Sequence, residues 1–392
     1  MRSIKDEHNL KQKKVLLRLD LNVPLDNGRI TDTTRIDKIL PTINFLLKND
    51  AKIIILSHVG RPKGKVVKGL SLSPVVENLK KKLNKNIKLI TKNLRKIDAK
   101  DLFNNQDEKI VMLENLRFYK EEEENNNEFA KRLANLADIY VNDAFSCSHR
   151  AHASIFEITK FLPSYGGLQL NLEINALTKI TSEIKKPITC IIGGSKISTK
   201  MSIIKNLIPK FDNIVIVGGM ANNILKYKGH NIGKSIQEDN CDQIIEEIFS
   251  FSRKENCKII YPDDVAVSKD LNGLPKIKEL DDVSKDELIL DIGPKSIKNI
   301  NNIINESKTI LWNGPAGYFE NQNFAKGSFE IAKKIIEKNK AHSIYSVVGG
   351  GDTVALLNTL GVINNFNFVS TAGGAFLEYL EGKELPGIKA LN

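Results

Sequence analysis

Of the 58 basic side chains in this 392-residue chain, only ten are arginine, and nine of those ten fall in the first 165 residues. Glycine is scarce where arginine is present: four of the 25 glycines lie in those first 165 residues and twenty-one lie after them. Cysteine is rarer still. Cys147, Cys190, Cys241 and Cys257 form no C-x-x-C pair and have no metal-ligand spacing, which points to buried free thiols in a reducing compartment. No apolar run approaches 18 residues, and the polar start MRSIKDEHNLKQKK has no signal-peptide core, so the expected location is the cytoplasm. The net charge of +11 comes mostly from lysines scattered along the chain. They lack the clustered basic-aromatic pattern of a nucleic-acid module, and neither nucleic acid nor membrane is expected as a partner.

What is present is a split between two ways of holding anions. Guanidinium forks pair bidentately with carboxylate or phosphate oxygens. Glycine-rich turns at helix starts offer bare N–H groups and the helix dipole. A chain that separates the two devices is suited to two anionic ligands. The length also exceeds what a single core usually supports, so two domains are expected.

Short β-branched runs alternate with longer amphipathic stretches. Strands are expected at residues 15–20, 52–57, 87–90, 109–113 and 138–141, then at 188–192, 213–217, 258–261, 309–312, 343–348 and 366–370. Near-continuous apolar strands separated by helical patterns indicate parallel sheets covered on both faces. The expected fold class is therefore α/β, with two doubly wound, Rossmann-like parallel-sheet domains. The boundaries read as 1–166 for the first domain, 167–184 for a linker helix and 185–377 for the second domain, with a tail at 378–392. The acidic run at 121–124 reads as a solvated loop or helix start.

Ligands of open parallel sheets bind beyond the carboxyl ends of the strands, and here those ends carry the polar signatures. In the first half they are RLDLNVP from Arg18, SHVGRP from Ser57, ENLRF from Glu114 and DAFSCSHRAHAS from Asp143, with Arg35 in the loop after the first strand. In a chain with 48 lysines, arginines clustered at the strand ends of one sheet indicate a site that lysine cannot serve. In the second half the ends are GGSKISTK, GGMA, DIGP, NGPAGYFE, GGGDT and TAGGA. None is a Walker A loop, and none has the G-x-G-x-x-G spacing that a dinucleotide-binding dehydrogenase requires. Lys196 and Lys200, four apart at a helix start, would share one face and reach phosphate oxygens.

Taken in order, these motifs resemble the signatures of phosphoglycerate kinases, and the resemblance covers essentially the whole chain. It implies reversible phosphoryl transfer between 1,3-bisphosphoglycerate and ADP, with Mg²⁺ as cofactor and a monomeric enzyme. By that resemblance Asp20, Asn22, Arg35, His58, Arg61, Arg117 and Arg150 would bind the 3-phosphoglycerate moiety, Arg35 also reaching the phosphoryl group. Lys200, Gly293, Asn313, Glu320, Gly350, Gly351, Asp352 and Thr353 would bind Mg-nucleotide, with Glu320 at the ribose and Asp352 directed to Mg²⁺. Lys196, Gly373 and Gly374 would stabilise the phosphoryl in flight, and the tail would return to the first domain. Arg18 matches its motif but reads as a structural partner of Asp20 or of a neighbour, and Cys147 receives no role.

The TAGGA turn departs from three successive glycines by having Ala372 first. A negative φ with the N–H still donating is expected there. The competing readings are a dehydrogenase, which the glycine spacing excludes, and a non-catalytic binding protein of the same fold, against which Arg35, Lys196, Lys200 and Asp352 stand.

Overall fold

The computed structural model describes residues 1–103 and 107–392. The chain divides into two compact units: Met1–Ile174 with Glu384–Asn392, and Asn175–Lys383. The division falls inside one helix, Leu168–Thr181.

The first unit carries β1 (Lys14–Leu19), β2 (Leu25–Asp26), β3 (Arg29–Ile30), β4 (Lys52–Leu56), β5 (Lys88–Ile90), β6 (Ile110–Leu113), β7 (Ile139–Asp143) and β8 (Ser164–Gly166). Six of these form a parallel sheet in the order β5-β6-β4-β1-β7-β8, and β2 and β3 make a small hairpin. From β1 the chain winds first toward β4 and β5, then crosses to β7 and β8, so the order reverses beside β1. Val15, Leu17 and Leu19 pack into one cluster with Ile53, Ile55, Ile36 and Ile43. A strand buried on both faces accounts for the unbroken apolar runs.

The second unit carries β9 (Ile188–Gly193), β10 (Asn213–Val217), β11 (Lys258–Ile260), β12 (Asp264–Ser268), β13 (Lys276–Glu279), β14 (Leu288–Ile292), β15 (Thr309–Asn313), β16 (Tyr345–Val348) and β17 (Phe368–Val369). Its parallel sheet runs β11-β10-β9-β15-β16-β17, reversing between β9 and β15. Trp312, fully buried, anchors the cluster on one face with Ile310, Val348 and Ile331. A second, antiparallel sheet, β13-β12-β14, lies outside the expected pattern. Three of the four residues of β13 are charged, and β12 and β14 each contain an aspartate, so none reads as an unbroken apolar run.

The expected parallel strands are all present, with ends shifted by a residue or two. Arg35 departs from its expected loop position: it lies in the first turn of helix Thr34–Lys48, whose start is held by Asp32 Oδ1 accepting from the Thr34 N–H at 2.7 Å. The acidic run is not simply solvated, because Glu122 is fully buried in helix Lys120–Glu123. The tail packs in the first unit, where the Gly387 N–H donates to Ser148 O at 2.8 Å. All four cysteines are free and buried.

Candidate active site

In the first unit the residues after β1 and β4 build one connected polar network. Asp20 Oδ2 accepts from Arg35 Nη1 at 2.6 Å and from the Ser146 hydroxyl, while Asp20 Oδ1 accepts from the Asn22 N–H at 3.1 Å. Arg35 Nη1 also donates to Asn22 O at 3.1 Å. Asn22 Oδ1 accepts from the Gly60 N–H at 2.8 Å, and Arg117 Nη1 donates to Gly60 O at 3.1 Å. The strand ends are thereby tied together through side chains. Arg117 is 8% exposed and its Nε has no hydrogen-bond partner among the described residues, although Glu123 lies 3.5 Å away. Burial pushes the Arg117 guanidinium below its usual range.

His58 is buried beside this network, and burial, reinforced by Arg18 and Arg117, holds it well below the ordinary imidazole range. His152 behaves alike and is pushed down to about 3. Its Nδ1 finds no hydrogen-bond partner among the described residues. Arg61 and Arg150 are exposed, in the loops after β4 and β7. Arg150 Nε contacts His149 Nε2 at 3.2 Å, and among the described residues neither arginine is bonded into the Asp20–Arg117 network. Of the two structural partners expected for Arg18, Asp20 or a neighbour, it has the neighbours and not Asp20. Its guanidinium bonds to Leu19 O, Ser154, His58 and Cys147, and Arg35 is the arginine that pairs with Asp20.

Ser146 and Ser154, both inside the DAFSCSHRAHAS motif, are contributors that the residue-by-residue reading passed over. Their position in the motif was the available signal. Glu122, which accepts from Ser154, had none, because nothing in a run of four glutamates marks the one that is buried.

In the second unit the corresponding site lies where the sheet order reverses, beyond the ends of β9 and β15. Gly193 and Gly314 let the two strand ends pass so closely that a Cβ on either would strike the other's backbone or Pro315 O. Lys200 Nζ donates to Asn313 Oδ1 at 2.8 Å, and Asn313 Nδ2 donates to Gly349 O at 2.7 Å. The Gly314 N–H donates to the buried Thr353 hydroxyl at 2.7 Å. Gly350, at φ 100°, introduces helix Gly351–Thr359, and a Cβ there would lie 2.5 Å from Asn313 Nδ2. Burial lowers the Lys200 ammonium from its usual value.

A cleft of about 620 Å³ opens beside this chain of bonds. Apolar side chains such as Leu225, Ile236, Val265, Leu290 and Phe319 line it, with Glu320 and Asp352 at polar positions. Asp352 is exposed at the start of helix Gly351–Thr359, next to Gly351. Asp291 also lines the cleft; burial pushes it up to about 7, although the Gly327 and Ile292 N–H groups donate to it.

Four expected members stand apart. Gly293 gives its N–H to Asp264 O at 2.9 Å, packs against the Asp264 carboxylate and does not line the cleft. Lys196 is exposed and precedes the 3-10 turn Ser198–Lys200, so the helical spacing argued for it and Lys200 does not apply. Gly373 and Gly374 open helix Gly374–Leu380 with Gly373 at φ 49°. Ala372 avoids positive φ as expected, but its N–H is committed to Ser370 Oγ at 3.2 Å.

The asymmetry is chemical. One site offers guanidinium forks and polar donors for a small multiply charged acid. The other offers an apolar cleft bordered by glycine turns, a lysine and a carboxylate, the usual composition of a nucleotide site. The family model for phosphoglycerate kinase matches residues 4–383. Phosphoglycerate kinase of Wolbachia pipientis subsp. Culex pipiens is 47% identical, covering 98% of this chain and 97% of that protein. The enzyme of Zymomonas mobilis is 43% identical over 100% of this chain and 99% of its own length. Among solved structures, phosphoglycerate kinase from Coxiella burnetii superposes with a TM-score of 0.91 at 40% identity, covering 99% of this chain and 98% of that one. That of Pyrococcus horikoshii gives 0.84 at 28% identity, covering 100% and 98%. The chain belongs to the phosphoglycerate kinase family.

Proposed function

We propose that the chain transfers the acyl phosphate of 1,3-bisphosphoglycerate to MgADP, reversibly, giving 3-phosphoglycerate and MgATP. The observation that carries this is the division of labour between two bonded networks, Asp20–Arg35–Asn22–Gly60–Arg117 in one unit and Lys200–Asn313–Gly349 in the other. In this reading domain 1–166 with the tail holds the acid, domain 185–377 holds the nucleotide, and helix 167–184 links them.

Arg117, Arg61 and Arg150 bind phosphate oxygens of the acid, while Asp20, Asn22 and His58 orient its carboxyl and hydroxyl end. Asp20 also aligns Arg35, whose guanidinium meets the phosphoryl group in transfer. Run backward, the nucleophile is a carboxylate that is ionised at neutral pH (reference pKa about 4), so no general base is needed. The chain's task is positioning and charge neutralisation in an in-line transfer. Lys196, with the Gly373 and Gly374 N–H groups, neutralises the phosphoryl oxygens as charge spreads over them. Lys200 and the turn at Gly350, Gly351 and Thr353 hold the nucleotide phosphates, Asn313 keeps Lys200 aimed, and Glu320 holds the ribose. Gly293 supports this set through the wall that carries Asp291.

Asp352 fits a Mg²⁺ site, because a single exposed carboxylate beside a phosphate-binding turn suits an ion that keeps water and phosphate oxygens as its other ligands. The ion would offset charge on the β- and γ-phosphates. Closure then brings the two half-sites together and excludes water from the acyl phosphate. We place this activity in the cytoplasm and in a monomer, since one chain supplies both residue sets. Among the described residues no helix is long and apolar enough to cross a membrane.

Calorimetry tests the assignment. Lys200→Ala should weaken ADP binding and leave 3-phosphoglycerate binding near normal, and Arg117→Ala should do the reverse. Loss of both ligands in either variant would contradict it.

A further inference from the structure

Arg18 is a cation sealed inside the first unit, 1% exposed, and every polar arm of its guanidinium is engaged. Nε donates to Ser154 Oγ at 2.9 Å, Nη1 to Leu19 O, and Nη2 to His58 Nδ1 at 3.2 Å, with Cys147 Sγ 3.8 Å from Nη2. Ser154 passes the connection on. Its hydroxyl donates to Glu122 Oε1 at 2.6 Å, and its N–H donates to Glu122 Oε2 at 3.0 Å. Glu122 is fully buried, and Tyr140 steadies the same segment by donating to Ser154 O at 2.6 Å. A buried line of bonds therefore runs from Glu122 through Ser154 and Arg18 to the ring of His58.

The polarity of that line is fixed by chemistry. A guanidinium has five N–H donors and no acceptor, so at the Arg18–His58 contact the imidazole nitrogen must accept. An imidazolium has no lone pair to offer, and neither has an Nδ1–H tautomer at that atom. The ring must be neutral, with its proton on Nε2. We infer, resting on the function proposed above, that Arg18 is a positioning residue. Held by Ser154 and Glu122, it locks His58 as the neutral Nε2–H tautomer, so that His58 meets the phosphorylated acid as a hydrogen-bond donor and not as a cation.

Two further observations agree. Asp20, His58 and Cys147 place ligand atoms within 4.8 Å of one another, a grouping that could hold a soft metal ion. The guanidinium of Arg18 already touches two of the three, and burial raises the Cys147 thiol, which disfavours the thiolate that a metal would need. The resident cation of this cluster is an arginine. The titratable and charged groups around the ring are Arg18, Arg117, Arg35, His152, Asp20 and Cys147. Burial and the three arginines all disfavour a charged ring. A neutral donor suits a site already provided with Arg35 and Arg117, because it adds direction to binding without adding a charge that varies across physiological pH.

The test is the ¹⁵N spectrum of the imidazole rings in the full-length protein, free and with 3-phosphoglycerate, His58 being assigned by its loss in His58→Gln. A pattern of unprotonated Nδ1 and protonated Nε2, unchanged between about pH 5.5 and 8.5, supports the inference. An Nδ1–H ring, or an imidazolium titrating in that range, overturns it. Arg18→Gln should release the ring to mixed tautomers or to titration. It should also raise the KM for the acid about tenfold or more, while the KM for ADP stays within about twofold. If Arg18→Gln does not fold, the wild-type spectrum still decides. A second pair of variants supports it: His58→Gln, whose amide reaches toward the Nε2 position, should keep more activity than His58→Asn, and the opposite order counts against a donor at Nε2. The spectrum of the free protein is independent of turnover. A locked Nε2–H ring in a protein that ignores 3-phosphoglycerate would refute the proposed function and leave the tautomer standing. A titrating ring in an active enzyme would refute only the role given to Arg18.

Discussion

Replacing Arg35 with alanine separates the two tasks assigned to its guanidinium. In the resting protein Nη1 is bonded to Asp20 at 2.6 Å and to Asn22 O at 3.1 Å, with the arginine and aspartate side chains 29% and 12% exposed. An ion pair that solvent can reach contributes at most about 1 kcal/mol. Asp20 also keeps its bonds from Ser146 and from the Asn22 N–H. Arg35→Ala should therefore fold, with a melting temperature only a few degrees lower. The loss should appear in the transition state, where a guanidinium on the transferring phosphoryl accounts for about 10³-fold or more in kcat, or about 4 kcal/mol. The assay is steady-state ATP formation with varied ADP, beside a thermal melt. A kcat reduced about 1,000-fold, with the KM for ADP within about twofold of wild type, is the expected result. A kcat within about tenfold of wild type, or parallel loss of kcat and ADP affinity, would refute a transfer role for Arg35.

Three further perturbations follow from the geometry. Gly350→Ala puts a Cβ 2.5 Å from Asn313 Nδ2 at a φ of 100°, so calorimetry should show weaker ATP binding and denaturant titration a loss of about 1–2 kcal/mol; unchanged ATP affinity would count against the Asn313–Lys200 alignment. Asn313→Ala frees Lys200 Nζ from its 2.8 Å partner and should weaken ADP binding without unfolding the protein, as read by calorimetry beside a thermal melt. Asp291 has a folded pKa of about 7, above its unfolded value near 4, so the folded state binds more protons between those values. Relative to Asp291→Asn, wild-type stability should therefore fall as pH rises from about 4 to 7, by at most about 1.4 kcal/mol per unit, and level off above; parallel stability–pH curves for the two proteins would contradict it.

The parallel strands were legible because their signal is local. Asn213–Val217 reads as a strand from its own β-branched residues, whichever neighbours it meets. Ser164–Gly166 was not, because Pro163, Gly166 and Gly167 look like a turn, and only pairing with Tyr140, Val141 and Asn142 makes the segment a strand. The same division runs through the site. The residue types at the strand ends were readable, since glycine turns and arginine forks have specific uses. Their partners were not, because a partner is a fact of tertiary packing. Arg18 and Asp20 stand two apart and suggest a pair, yet the strand end turns Arg18 inward to Ser154 and His58 and leaves Asp20 to Arg35. Ala372 shows both outcomes in one residue: its backbone conformation followed from residue type, whereas its N–H went to Ser370, a bond that depends on where that side chain points.

The central claim is that an arginine-based acid site and a glycine-based nucleotide site serve one phosphoryl transfer. Its most direct measurement is transfer of label from 1,3-bisphosphoglycerate carrying ³²P at its acyl phosphate to ADP, with Mg²⁺ present. Labelled ATP should form in step with 3-phosphoglycerate, with negligible free phosphate. Binding of both ligands without labelled ATP, or release of the label as free phosphate, would contradict it.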